Sequence, residues 1–194
     1  MKKSLAVMFL LMLSVALNAG QIVPKLSLDN HTSGKISGSP VYSNFDTDLA
    51  VSVGIEYLHS LNENIAVGGG AEYQFFREIK KLDGNIAPYT AKFNYMPIYA
   101  TAEYLISMNN ANMKPFAKVN LGYAFYNLSG DADWLRWATN GGMYFAVGGG
   151  INVKNIVKIE LKYSIFTGSR SMPGAANDDK YAIISLGVGY IFDI

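Results

Sequence analysis

The chain predicts an eight-stranded antiparallel up-and-down transmembrane β-barrel, and three observations carry that expectation. Eight segments alternate apolar with small or polar residues at a period of two, the spacing of a strand with two unlike faces. In strands two to seven the apolar parity holds no charged, amide, Ser or Thr side chain, and every charge within strands two to eight sits on the other parity. The connections alternate long and short, the asymmetry expected of hairpins that cross a bilayer.

The first residues stand apart from this pattern. Lys2 and Lys3 precede an apolar stretch from Leu5 to Leu17, with small residues at Ala16, Ala19 and Gly20. That is the layout of a Sec-type export signal, too short to span a bilayer. Cleavage after Ala16 or Ala19 fits, Ala19 better, so 1–19 is read as signal peptide and 20–194 as barrel. There is no cysteine, hence no disulfide, no thiol nucleophile and no lipidated N-terminal cysteine. Without the two signal lysines, 14 basic residues face 15 acidic ones, a balance that leaves no footprint for nucleic acid. The chain is 50% hydrophobic, yet past the signal no apolar run approaches the ~20 residues of a spanning helix.

Strand one is read over 21–28, with Ile22, Pro24, Leu26 and Leu28 outward and Lys25 and Ser27 inward. Pro24 cannot donate to a ladder, so it belongs at the strand's start or at a bulge. Strand two, 49–58, turns Leu49, Val51, Val53, Ile55 and Tyr57 outward. Strand three, 65–76, does so with Ile65, Val67, Gly69, Ala71, Tyr73 and Phe75. Strand four, 95–106, presents Met96, Ile98, Ala100, Ala102, Tyr104 and Ile106, and its Pro97 predicts an irregular stretch near the outer rim. Strand five, 115–126, presents Pro115, Ala117, Val119, Leu121, Tyr123 and Phe125. Strand six, 142–153, presents Met143, Phe145, Val147, Gly149, Ile151 and Val153; strand seven, 157–166, presents Val157, Ile159, Leu161, Tyr163 and Ile165. Asn94, Arg77 and Thr167 continue the outward parity just past strand ends, at the level of lipid headgroups.

Lipid explains this polarity directly, because a lysine facing mid-bilayer costs roughly 2–4 kcal/mol. A soluble barrel, sandwich or lipocalin-like binder would show the reverse, with its charges outside. The long links, 29–48, 77–94, 127–141 and 167–180, are expected to be extracellular. The short links, 59–64, 107–114 and 154–156, are expected to be periplasmic turns, with both termini on that side. Outward aromatics gather at two levels, Tyr73, Phe75, Tyr123, Phe125, Phe145 and Tyr163 at one and Tyr57, Tyr104, Tyr190 and Phe192 at the other. Such girdles suit the two water–lipid boundaries.

The last strand, 181–192, puts Ala182, Ile184, Leu186, Val188, Tyr190 and Phe192 on one face and mostly small residues on the other. Its polar-x-Gly-x-x-aromatic-x-aromatic pattern, Ser185, Gly187, Tyr190 and Phe192, resembles the C-terminal signal by which the barrel-assembly machinery of the bacterial outer membrane recognises its clients. Asp193 and Ile194 follow, a departure from members that stop on the aromatic.

An eight-stranded barrel is just wide enough inside for side chains to fill it. The predicted interior holds Glu56, Glu72, Glu103 and Glu160 against Lys25, Lys118, Lys158 and Lys162. These charges are read as mutually neutralising in a plugged core, with Glu103 and Lys118 placed to pair across the 107–114 turn; the competing reading is a narrow ion path or proton relay. Balanced charge argues against ion selectivity, which calls for rings of one sign. The repeated Ala-Val-Gly-Gly-Gly, at 66–70 and 146–150, is no phosphate loop, since no helix follows it. Inward glycines instead make room for bulky neighbours such as Tyr95, Tyr99, Tyr126 and Tyr144.

A catalytic set is hard to assemble. His59 falls in a short turn; His31 lies in the first long loop among Asp29, Thr32, Ser33 and Ser37, and only there could lipid acyl transfer be imagined. No histidine cluster suggests a metal, and no cofactor is expected. Trp134, Arg136 and Trp137 form the most unusual loop segment, read either as an anchor at the headgroups or as a contact for a surface ligand.

Together these residues resemble the small eight-stranded outer-membrane proteins, the OmpA/OmpX-like and opacity-type barrels, over nearly all of the chain after the signal. The resemblance implies a non-catalytic barrel among outer-membrane lipid and lipopolysaccharide, inserted by the assembly machinery. It also implies a role in envelope structure and loops displayed for adhesion or host contacts. A small-solute channel of the OmpW-like kind and a lipid A-modifying enzyme are the alternative classes.

Overall fold

The computed structural model describes residues 20–36, 45–75, 77–82, 85–86, 91–108, 112–130, 139–172 and 175–194. The signal segment 1–19 and the loop bearing Trp134, Arg136 and Trp137 lie outside the described residues. Eight long strands follow one another: β1 (Gly20–Ile36), β2 (Ala50–Ser60), β3 (Ile65–Gln74), β4 (Ala91–Leu105), β5 (Met113–Gly130), β6 (Gly142–Val153), β7 (Val157–Met172) and β8 (Ala175–Tyr190). Each pairs antiparallel with the next, and β8 returns to pair with β1, so the sheet closes on itself. Phe45–Thr47, Arg77–Leu82, Asn85–Ile86, Thr139–Asn140 and Phe192–Asp193 are short strands that extend it, and the described residues contain no helix.

Closure carries a stagger. Following register partners once around, Gln21 leads through Leu58, Gly68, Thr101, Asn120, Ala146, Ser164 and Ile183 back to His31, ten residues along the same strand. A stagger of this kind tilts the strands against the barrel axis and sets the bore.

The outward parity is the apolar one. Leu26, Val53, Ile98, Leu121, Val147, Leu161 and Leu186 are all exposed, while Ser27, Ser52, Tyr99, Asn120, Ala146, Lys162 and Ser185, on the alternate parity of the same strands, are buried. Tyr73 with Phe75 and Tyr123 with Phe125 pack edge-on near the long-hairpin end, at centroid distances of 5.5 and 5.0 Å. Tyr190 and Phe192 lie 4.5 Å apart at the end that holds both described termini. Ala182 is an exception, buried despite its outward parity. It stands opposite a bulge in β1, where the register slips between His31 and Ser33, and a bulge bends the strand locally.

Four expectations of detail need correction. Strand one does not stop at Leu28; it continues to Ile36, and the His31 backbone pairs with Ile183 instead of lying in a loop. The link expected at 167–180 is a β-hairpin extension, with β7 and β8 in register from Thr167↔Lys180 to Met172↔Ala175. Alternation fades there because, beyond the apolar belt, neither face is constrained to be apolar. His59 lies in β2, opposite Val67, and not in the turn. Asn94 is buried instead of facing headgroups, because its amide is held by the Tyr73 hydroxyl at 3.0 Å.

Local chemistry makes the tight turns. Lys154 and Asn155 have φ of 52° and 54°, and Ile156 N donates to Val153 O at 3.0 Å. These two residues are the centre of a β-turn of the kind whose twist suits hairpins, Ile156 follows before the ladder resumes at Val153↔Val157, and Asn tolerates the left-handed region. In the β2–β3 turn, Asn62 Oδ1 accepts from the backbone of Asn64 at 2.9 Å and Ile65 at 2.8 Å, an Asx-type turn.

The close approach of strands is built on inward glycines. A Cβ at Gly150 would collide with the Ile159 carbonyl oxygen and stand 2.8 Å from the Phe116 ring. We expect Gly150→Val to cost about 3 kcal/mol or more, read as loss of the heat-modifiable folded band on gel electrophoresis. A normal folded fraction would contradict this packing.

Candidate functional site

The inward positions of β1 are Val23, Lys25, Ser27 and Asp29, all buried. The other strands contribute Glu56 from β2, Glu72 from β3, Glu103 from β4, Lys118 from β5, and Lys158, Glu160 and Lys162 from β7, each buried. The structure brings six of these ions into one network at mid-barrel. Lys25 Nζ lies 2.7 Å from Glu56, 3.0 Å from Glu72 and 3.6 Å from Glu160. Lys118 Nζ bridges Glu56 at 2.5 Å and Glu160 at 2.6 Å, while Lys162 donates to both Glu72 oxygens, at 2.6 and 2.5 Å. The Tyr99 hydroxyl lies 2.8 Å from an oxygen of Glu56 and of Glu72 and accepts from Lys25 at 3.3 Å.

Glu103 pairs elsewhere. It stands opposite Lys118 in the β4–β5 register, yet its ion pair is with Lys158, across the lumen. The expected Glu103–Lys118 pair is therefore not formed, because Lys118 is held between Glu56 and Glu160. Lys158 also sits 4.6 Å from the centre of the Phe116 ring, a contact a cation gains most from when desolvated.

Two plugs bound the ions. Val23, Leu58, Ala66 and Ile191 form an apolar cluster at the short-turn end. Toward the long-hairpin end, Phe166 stacks on Tyr95 at 5.0 Å and on Tyr181 at 4.7 Å, with Tyr126 5.5 Å from Tyr181. Tyr144 joins Tyr99 at 5.6 Å and contacts the Ser164 hydroxyl at 3.2 Å.

Inward parity would have revealed four residues left out of the charge and aromatic sets above, Tyr181 of the stack among them. Asp29, fully buried, accepts from Gln74 Nε2 at 2.6 Å; Phe116 and Phe166 are core aromatics. Of the C-terminal pattern, Ser185 and Gly187 face inward, opposite Asp29 and Ser27, whereas Tyr190 and Phe192 are exposed on the outer face. The chain end is fastened to β1, with Gln21 Nε2 donating to Asp193 at 2.9 Å and Ile194 N to Gly20 O at 2.9 Å.

Chemically, this is a neutralised ionic core. Each lysine ammonium is engaged by carboxylates, and among the described residues no group of three His, Asp or Glu could hold a metal ion. Breaking a buried pair from one side leaves an uncompensated charge, which costs about 3–5 kcal/mol. Lys158→Met should therefore destabilise the barrel by that amount, and adding Glu103→Met should recover most of the loss. Urea unfolding of the barrel refolded in lipid vesicles measures both, and equal stabilities for the single and double variants would refute the pairing.

The chain matches the family described as Outer membrane protein beta-barrel domain over residues 5–192. No curated protein sequence matches it. Among solved structures it is similar to outer membrane protein OprG from Pseudomonas aeruginosa, with 14% identity and a TM-score of 0.54 over 90% of this chain and 95% of that one. Neisserial surface protein A is similar at 12% identity and a TM-score of 0.53, over 90% of this chain and 99% of the other. AlkL, solved in DMPC lipid bilayers, is similar at 15% identity and a TM-score of 0.54, over 90% and 91%. Identities this low carry the fold and no activity. The family match, spanning nearly the whole chain, agrees with the closed sheet, the apolar outer belt and the ionic core: the chain belongs to the outer membrane protein beta-barrel domain family.

Proposed function

We propose that this protein is a non-catalytic, non-conducting barrel of the bacterial outer membrane, contributing to envelope structure and presenting its long hairpins at the cell surface. The observation that carries this reading is the filled bore, in which the ionic network lies between an apolar cluster and an aromatic stack. A conduction path would need solvated side chains of one prevailing sign, and here the lysines and glutamates are buried against one another.

In this reading residues 1–19 are removed on export, and the long hairpins face outward with both ends of the barrel in the periplasm. Tyr190 and Phe192, exposed beside each other, are the residues the assembly machinery reads, with Ser185 and Gly187 setting the inward face of the same strand. Trp134, Arg136 and Trp137 are the residues for contact with a host or surface ligand. The polar hairpin of β7 and β8 beyond Thr167↔Lys180 extends the surface available to such a ligand.

Reconstitution into a planar bilayer tests the closed bore, and no stable conductance above leak is expected. Discrete openings would favour a small-solute channel. Orientation is tested separately by single cysteines in this cysteine-free chain. Asn177→Cys in the β7–β8 hairpin should react with an impermeant maleimide in intact cells, and Asn155→Cys in the short turn only after permeabilisation. The opposite pattern would invert the assignment.

A further inference from the structure

The buried ions of the barrel do not balance. Four glutamates inside the bore are matched by four lysines, and Asp29, fully buried, is a fifth carboxylate. All four lysines are held by the glutamates. Asp29 Oδ2 accepts from Gln74 Nε2 at 2.6 Å, while its Oδ1 has no hydrogen-bond partner. A buried charge is strongly disfavoured unless an opposite charge meets it.

Across the closing seam the register partner of Asp29 is Ser185 of β8. Gly20 and Ile194 exchange both backbone hydrogen bonds, so the even-numbered residues of β1 are those that bond to β8. Asp29↔Ser185 is therefore a non-hydrogen-bonded pair, the kind whose side chains stand closest. Ser185 is 2% exposed, and its Oγ also has no hydrogen-bond partner. A hydroxyl so placed ordinarily donates to the carboxylate; here both oxygens are left without a partner. Two residues along the same face, Ser27 Oγ leans toward β8, 2.7 Å from where a Cβ on Gly187 would sit. Three oxygens thus lie along one stretch of the β1–β8 seam, with a single negative charge among them.

We propose that Asp29, Ser185 and Ser27 form a site for one bare monovalent cation, of the size of sodium, held across the closing seam. Asp29 Oδ1 supplies the charge, the two hydroxyls add the oxygen ligands a hard cation takes, and the Gln74 amide fixes the carboxylate from β3. One positive charge brings the buried set to neutrality, whereas a divalent ion would leave it in excess. The site is shut off from solvent in the finished barrel, so the ion is captured as β8 meets β1 and needs no later path. A bare ion of this size takes less room than a water molecule.

Equilibrium urea unfolding of the barrel refolded in lipid vesicles tests the site, with sodium chloride replaced stepwise by choline chloride at one ionic strength. For wild type the folded-to-unfolded ratio should rise about tenfold per tenfold rise in sodium once the site begins to fill, the dependence of a single ion bound only by the folded state. Choline is too large for a closed site, so stability should be lowest in choline alone. Asp29→Asn should remove the sodium dependence, and in choline chloride it should be more stable than wild type, because it no longer buries an unpaired charge. Ser185→Ala should move the dependence to higher sodium, and it carries the test should Asp29→Asn not fold. Equal wild-type stability in the two salts, or an undiminished sodium dependence in the variants, would overturn the site. Stabilisation by calcium or magnesium and not by sodium would overturn the monovalent assignment. Neither result depends on whether the bore conducts, so the closed-bore reading stands or falls separately.

Discussion

Hydrocarbon supplies neither donors nor acceptors, so each backbone N–H and C=O of a spanning segment must find its partner within the chain. Pairing each strand with the next leaves two edges, and joining β8 to β1 removes them. Once the sheet is closed, the outward side chains meet lipid and the inward ones are cut off from bulk water. Charges are then cheaper inside than outside, provided that they neutralise one another. Lys25 of β1 reaches Glu56 of β2, Glu72 of β3 and Glu160 of β7, and Lys118 of β5 reaches β2 and β7. The network therefore braces the cylinder across its bore as well as satisfying its own charge.

Packing inside depends on a division between residues that project and residues that vanish. Tyr99 stands against Gly70 and Gly122, Phe116 against Gly150, and Lys25 and Val23 against Gly189. The two Gly-Gly-Gly runs are read best as the recesses into which large inward side chains of the neighbouring strands fit. Interior side chains fitted into recesses in this way resist collapse.

Much of this was legible in the residues because the bilayer enforces one rule along the whole span. Val51, Val53 and Ile55 announce a lipid face, and Glu56, Lys118 and Lys158 an interior, with no reference to partners. Parity gives a side chain's face but neither its height nor its azimuth, which is why Glu103 finds Lys158 and not its register neighbour Lys118. Asp29 continues the inward series of Val23, Lys25 and Ser27, yet an acidic residue beside Asn30 and His31 reads locally as the start of a loop. Above the apolar belt the rule lapses altogether, and the strand character of 167–172 and 175–180 comes from the ladder these two segments form with each other, not from their composition. Asn94 escaped because its burial depends on one tyrosine hydroxyl of the neighbouring strand, a contact that periodicity does not register.

Among the ladders of the closed wall, the β1–β8 seam differs in kind. Seven join consecutive strands and form as hairpins, whereas the eighth links Gln21 to Asp193 across 172 residues. Bringing such distant segments together carries the largest chain-entropy cost in the molecule, and contacts of that separation are the slow ones. The hairpins are thus free to zip early while the circle waits. The contacts of Asp193 and Ile194 with Gln21 and Gly20 act as a latch on the last event. Persistence of the finished barrel then becomes a matter of how seldom that latch opens, a property of rate more than of equilibrium.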